Sequence, residues 1–212
     1  MSPACRIAVL AKAPLAGQAK TRLAPALGAA GAAALAERML AHAVAAAAEV
    51  APGAVTVWAT PDASHPAFAQ ARRRHAVALA VQPAGDLGRR MAHAFEQAFA
   101  ASPAPLLLIG SDMPALDADA LRAAAAALAD HDAVFVPSLD GGYGLVGLRA
   151  APAPRFAVLL AALFDGMAWS TPRVMADTRA RLAALGARHA ELPPLPDIDE
   201  PADLVHLPAD WR

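Results

Sequence analysis

The run RIAVLAKAPLAGQAKTRL, residues 6–23, passes from an aliphatic stretch into a loop holding Pro14, Gly17 and the cations Lys12, Lys20 and Arg22. An alanine-rich segment with helical spacing follows. Strand, loop and helix in that order form the opening unit of a parallel α/β sheet, and they set the loop at the carboxyl end of the sheet, where open sheets of this kind bind ligands. Gly17 permits backbone shapes that other residues resist, Pro14 stiffens the approach, and the three cations stand near backbone N–H groups. Such a loop suits a polyphosphate. A P-loop is excluded, because that motif requires glycine directly before the lysine and this chain has Ala19 there. A solvated loop with helix-flanking charges explains the same residues.

The rest of the chain keeps the same rhythm. Aliphatic runs at 54–60, 76–82, 105–110 and 132–137 read as further strands, with helices between them. In the segment 86–102, Leu87, Met91, Phe95 and Phe99 recur every fourth residue and form one apolar stripe, read as core. Asp117 is suited to cap the helix that follows it. After Pro137 the pattern changes: SLDGGYGLVGLR offers a tight turn and a short apolar strand, expected to be an antiparallel edge strand. No repeat or low-complexity linker divides the sequence. With 212 residues and 57% hydrophobic content it predicts one domain over 1–212, an α/β three-layer sandwich with a mixed, mainly parallel sheet.

Composition narrows the function classes. A formal net charge of −1 provides no long-range positive field for nucleic acid or anionic lipid, so small-molecule partners are expected. The single Cys5 cannot form an internal disulfide. The first residues lack the apolar core of a signal peptide, and uncharged runs elsewhere are short or interrupted by Pro or Gly. A cytoplasmic protein without a membrane span is the expectation.

Three further places carry candidate chemistry. In LLLIGSDMPAL an apolar strand ends in Gly110, Ser111 and Asp112, facing the same rim as the opening loop. A carboxylate there suits Mg²⁺ or Mn²⁺ beside a phosphate; a helix or turn cap explains it equally. In PSLDGGYGLVGL, Asp140, Gly141 and Gly142 allow close backbone approach to a sugar or ribose, or simply make a hairpin turn. In PDIDEPADL, Asp197, Asp199 and Asp203 cluster near the end, with Pro201 suited to a first helical turn and Asp199 available as an N-cap. The histidines, His42, His93 and His189 among them, show no metal-ligand spacing and read as surface residues. No Ser-His or Cys-His pair suggests a protein nucleophile.

Taken in order, AKAPLAGQAKTRLAPALG, GDLGRRM, GSDMPAL, PSLDGGYGLVGL, MAWSTPRVMADT and DIDEPADL resemble the nucleotide-diphospho-sugar transferase superfamily, with its GT-A-like fold. More closely they are similar to a bacterial family of small glycosyltransferase-like proteins of that fold. The resemblance runs from about Ile7 to Leu204. It implies that Lys12, Lys20 and Arg22, with Ala11 and Gly17, meet nucleotide phosphates, and that Lys20, Arg22 and Asp112 are catalytic. Asp112 and Asp199, or Asp197 in its place, would hold Mg²⁺ or Mn²⁺, with Ser111 beside them. Gly85, Leu87 and Arg90 would lie against the base or ribose, and Asp140, Gly141, Gly142 and Tyr143 on the acceptor side. Glycosyltransferases of this fold commonly show Asp-X-Asp, whereas here Gly110 precedes Asp112 by two. The expected activity is therefore metal-dependent nucleotidyl transfer from a nucleoside triphosphate to a small phosphorylated acceptor. The alternatives are glycosyl transfer from a nucleotide-sugar and nucleotide binding without turnover.

Overall fold

The computed structural model describes residues 5–211; the first four residues, part of the opening read against a signal peptide, lie outside them. Seven strands form one sheet: β1 (Arg6–Lys12), β2 (Val55–Thr60), β3 (Ala78–Val81), β4 (Leu106–Ile109), β5 (Ala133–Pro137), β6 (Tyr143–Leu148) and β7 (His189–Glu191). Their spatial order is β3-β2-β1-β4-β6-β5-β7. Every neighbouring pair is parallel except those involving β6, which runs antiparallel to both β4 and β5. The strand expected at an edge is thus interior. Leu145, Val146 and Leu148 are fully buried, so both faces of β6 are covered and an edge position would have exposed them. On that side of the sheet the edge is instead β7, short and polar.

The helices α1 (Ala24–Val50), α2 (Pro66–His75) and α4 (Ala118–Ala127) cover one face. On the other lie α3 (Leu87–Ala101), α5 (Ala153–Phe164) and α6 (Val174–Ala184). Each half of this three-layer arrangement has its own apolar layer, around Val44, Phe68 and Leu121 on one side and Phe95, Leu163 and Phe164 on the other. Alanine lets α1 lie close against the sheet. In α3 the apolar stripe is core at Met91 and Phe95, but Leu87 is 45% exposed and stands at the rim of a cleft. Asp117 caps α4 as its type predicts, accepting from the Ala120 N–H at 2.9 Å. Cys5 is buried, and burial pushes its thiol up to about 11, which leaves it protonated and inert at neutral pH. Among the described residues no helix is long and apolar enough to cross a membrane.

A third apolar cluster, Leu23, Ala32, Met39, Ile198 and Leu207, ties the C-terminal segment to α1 and to the opening loop. Ile198 is fully buried and donates its N–H to the Asp112 carbonyl at 2.9 Å. That contact, with the Leu195 N–H donating to the Pro137 carbonyl at 3.0 Å just before it, brings the last acidic stretch across to the end of β4.

Candidate functional site

Between β1 and β4 the connections diverge, β2 and β3 continuing to one side and β6, β5 and β7 lying on the other. Such a switch leaves a crevice beyond the carboxyl ends of the two strands. A cleft of about 770 Å³ opens there, bounded by the opening loop, the end of β4, the 138–144 turn, the 169–172 loop and the acidic tail.

The opening loop is fixed from below. Ala19 and Leu23 are buried, and Lys20 between them takes a left-handed backbone, φ 47° and ψ 44°. That conformation is disfavoured for a residue with a side chain. It turns the Lys20 side chain inward, where it is only 7% exposed and its ammonium lies 2.8 Å from Asp112 Oδ2 and 3.5 Å from Asp199 Oδ1. Arg22 lies outside it, its Nη1 2.7 Å from Asp199 Oδ2 and 3.7 Å from Glu200 Oε1. Lys12 donates from Nζ to the Gln18 carbonyl at 2.8 Å and so braces the loop it belongs to.

Asp112 caps no helix. Its Oδ1 accepts from the Ser111 hydroxyl at 3.1 Å, which leaves Oδ2 to the Lys20 ammonium. Asp199 is not a cap either: Glu200 holds that position ahead of the short 3₁₀ turn Pro201–His206. Asp203 closes the capping box, accepting the N–H groups of Asp199 and Glu200 at 3.0 and 2.7 Å. The third acid of the tail therefore shapes the backbone, while Asp197 and Asp199, on either side of buried Ile198, line the cleft. Burial raises the Asp197 carboxyl above its ordinary value, and the nearby charges of Asp140 and Asp203 add to this against the opposing effects of its own backbone N–H and, less, of Lys20. Asp140 accepts from the Gly142 N–H at 2.9 Å and from the Ser138 hydroxyl, making a braced turn at the cleft's edge.

Of the residues singled out in the sequence, Lys12, Lys20, Arg22, Leu87, Ser111, Asp112, Asp140, Gly142, Tyr143, Asp197 and Asp199 meet at this cleft. The cleft lining does not include Ala11, Gly17, Gly85, Arg90 or Gly141. Ala11 is buried in β1 and its carbonyl accepts from Gln82 Nε2 at 3.3 Å. Arg90 donates back to the Gly85 carbonyl at 3.1 Å and to Gln82 Oε1 at 3.4 Å, bracing the connection between β3 and α3. Gly141 works through contact with the neighbouring loop: a side chain there would meet the Pro172 carbonyl oxygen at 2.2 Å. Sequence reading gave no role to Trp169, Ser170 and Thr171, which form the far wall. Their signal was the aromatic-hydroxyl-proline run WSTP at 169–172, visible in the sequence but without a charged group to mark it. The reading of the histidines also needs correction: His42, His93 and His189 are all half-buried, their rings edge-on to Trp211, Trp58 and Phe135 with centroids 5.4, 5.4 and 6.2 Å apart.

Two carboxylates converge here on one point, and that point already holds a cation, the Lys20 ammonium. Hard oxygen donors around a cation-sized position fit Mg²⁺ or Mn²⁺. Among the described residues no group of three or more His, Cys, Asp or Glu could hold a metal, so the remaining donors would come from a bound phosphate and water.

Comparison with known proteins gives a consistent frame. A family model described as "Uncharacterized protein conserved in bacteria (DUF2064)" matches residues 40–171. A crystal structure from Desulfovibrio desulfuricans G20, provisionally named a nucleotide-diphospho-sugar transferase, is 29% identical with a TM-score of 0.83, covering 95% of this chain and 84% of that one. A cytidylyltransferase from Leptospira borgpetersenii is 14% identical with a TM-score of 0.56, covering 94% and 83% of the two chains. CMP:2-keto-3-deoxy-manno-octonic acid synthetase, solved with CTP, is 14% identical with a TM-score of 0.53 and covers 95% of each chain. No curated protein matches the chain. The fold is that of the nucleotide-diphospho-sugar transferases.

Proposed function

This chain belongs to the bacterial family DUF2064, and we propose that it is a metal-dependent transferase that moves a nucleotidyl group from a nucleoside triphosphate to a small phosphorylated acceptor. The observation that carries this reading is the pairing of Lys20 and Arg22 with Asp112 and Asp199 at the switch point of the sheet. Cations for phosphate and carboxylates for a divalent ion stand within contact distance of each other. Asp112 and Asp199 would hold the ion, which would polarise the phosphates and neutralise charge on the departing pyrophosphate.

Lys20 and Arg22 would bind phosphate oxygens and offset the charge that grows as an acceptor oxygen attacks the α-phosphorus. One phosphorus–oxygen bond forms to the acceptor as the bond to the β-phosphate bridging oxygen breaks, and pyrophosphate leaves. No protein nucleophile takes part. Leu87 would lie beside the base or ribose, while Asp140, Gly142 and Tyr143 would face the acceptor. The provisional name of the Desulfovibrio protein favours a second reading, glycosyl transfer from a nucleotide-sugar through the same carboxylates and cations.

Thermal denaturation with each common nucleoside triphosphate and each nucleotide-sugar, with and without Mg²⁺, separates the two. A ligand at about a hundred times its Kd stabilises the native state by about 2.7 kcal/mol. Stabilisation by a triphosphate only with Mg²⁺ is expected. Preference for a nucleotide-sugar selects the second reading, and no shift with either class removes both.

A further inference from the structure

We propose that Lys20 is a displaceable stopper: its ammonium occupies the divalent-ion position between Asp112 and Asp199, so that the free protein excludes metal until a polyphosphate draws the lysine away. The proposal rests on the assignment of Asp112 and Asp199 as the metal-holding pair. Three observations carry it. First, the Lys20 ammonium contacts both carboxylates, at 2.8 and 3.5 Å, and is almost wholly shielded from water. An ion on that pair and the ammonium would stand within a few ångströms of each other, a like-charge contact that the ammonium, shielded from water, cannot relieve by solvation.

Second, Lys20 reaches this position through a left-handed backbone, φ 47°. Such a conformation persists in a residue with a side chain only when its surroundings impose it. Here the buried neighbours Ala19 and Leu23 fix the chain on each side, and the ion pairs fix the side chain. A phosphate-binding lysine on a mobile loop needs none of this.

Third, the charges balance in both states. Without ligand, Lys20 and Arg22 answer Asp112 and Asp199. A metal bound to a triphosphate arrives as an anion overall, with the metal as its positive end. The carboxylates then take the metal while Lys20 and Arg22 take phosphate oxygens, so each charge exchanges its partner and the shielded Lys20 ammonium is not left without one. Bare metal offers no such exchange, because it brings no phosphate oxygen to receive the displaced ammonium, which would be left to Asp197 and water at the open side of the cleft. Metal and polyphosphate therefore enter together.

The test is equilibrium dialysis against Mn²⁺, with and without inorganic triphosphate as a base-independent probe. The proteins are the wild type, Lys20→Met, Lys20→Gly and the double variant Lys20→Met with Asp112→Asn. Glycine accepts the backbone of position 20 without strain, so this variant guards against a folding defect in Lys20→Met. The wild type should bind Mn²⁺ alone at least tenfold more weakly than either single variant, and triphosphate should restore its uptake. The double variant should lose what Lys20→Met gained. Equal Mn²⁺ affinity in the wild type and both single variants overturns the stopper while leaving the metal pair intact. Failure of triphosphate to raise wild-type uptake overturns the exchange, as does retention of Mn²⁺ by the double variant. No Mn²⁺ on any of the proteins, with or without triphosphate, overturns the metal pair and the stopper with it.

Discussion

Asp112 has the simplest task of the residues at the cleft, since half of its side chain faces solvent and, among the described residues, its carboxylate meets only Lys20 and the Ser111 hydroxyl. Replacing it with Asn preserves size and one acceptor oxygen but removes the charge. The free protein should lose no more than about 1 kcal/mol, because a half-exposed ion pair contributes that much at most. Nucleotide binding should respond far more, with its dependence on Mg²⁺ abolished, since Mg²⁺ is held by one or two carboxylates together with ligand phosphates. Titration of Asp112→Asn with a triphosphate in Mg²⁺ and in a chelator, beside Asp199→Asn, measures this. Unaltered Mg²⁺ dependence in Asp112→Asn would shift the metal to Asp197, Asp199 or Asp140. The position of Asp112 was legible because a carboxylate ending an apolar strand must lie at the sheet's rim. The Lys20 contact was not, because it depends on a left-handed backbone that sequence alone does not prescribe for lysine.

Among the elements, composition marked the strands but not which strands would lie beside them. The runs at β1, β2, β4 and β5 are apolar at most positions and mark themselves as buried strands. β7, the three residues His-Ala-Glu, has no such composition and exists through its pairing with β5. β6 was recognised as a strand but misplaced, because nothing in Tyr143–Leu148 records that β4 lies on its other side. The turn before β6 and the loop before α6 show how two such elements are joined. Gly141 has φ 94°, and its carbonyl accepts the Met175 N–H at 2.9 Å as Pro172 packs against its Cα. Gly141→Ala would push a methyl group into the Pro172 backbone, which cannot yield as a flexible side chain would. A loss of about 2–3 kcal/mol in chemical denaturation is expected, at the upper end for a point substitution. Gly17→Ala provides the contrast: it is also at positive φ, but nothing lies within 4 Å of the added carbon, so only the backbone penalty of about 1 kcal/mol applies.

Across the whole molecule, the half of the sheet beyond β4 depends on one carboxylate remote from the cleft. Asp132, at the start of β5, has a side chain only 13% exposed and accepts from Arg149 Nη2 at 3.1 Å, Arg155 Nη2 at 3.0 Å and the Arg188 N–H at 3.1 Å. It thereby joins the end of β6, the first turns of α5 and the approach to β7. Burial alone would raise its proton affinity, but the Arg188 N–H and the two guanidinium groups outweigh this and hold the carboxyl below its usual range. Glu191 on β7 is held low in the same direction by Arg179, whose Nε and Nη2 both donate to it at 2.7 Å. A carboxylate depressed in the folded state binds protons more readily when the chain is unfolded. Its stabilisation is therefore complete above the unfolded value, about 3.9 for Asp, and disappears as pH falls through the folded one. The melting temperature should accordingly drop steeply from about pH 4 downward. Asp132→Asn keeps the Arg188 hydrogen bond but not the charge, and should lower stability at pH 7 by about 1.5–3 kcal/mol, the range for hydrogen bonds to charged groups. The same variant should show a shallower fall below pH 4, because the group that titrates has been removed. Melting curves of the wild type and Asp132→Asn between pH 2 and 7 measure both effects: parallel curves would mean that acid unfolding is governed elsewhere, with Glu191→Gln the next variant to compare.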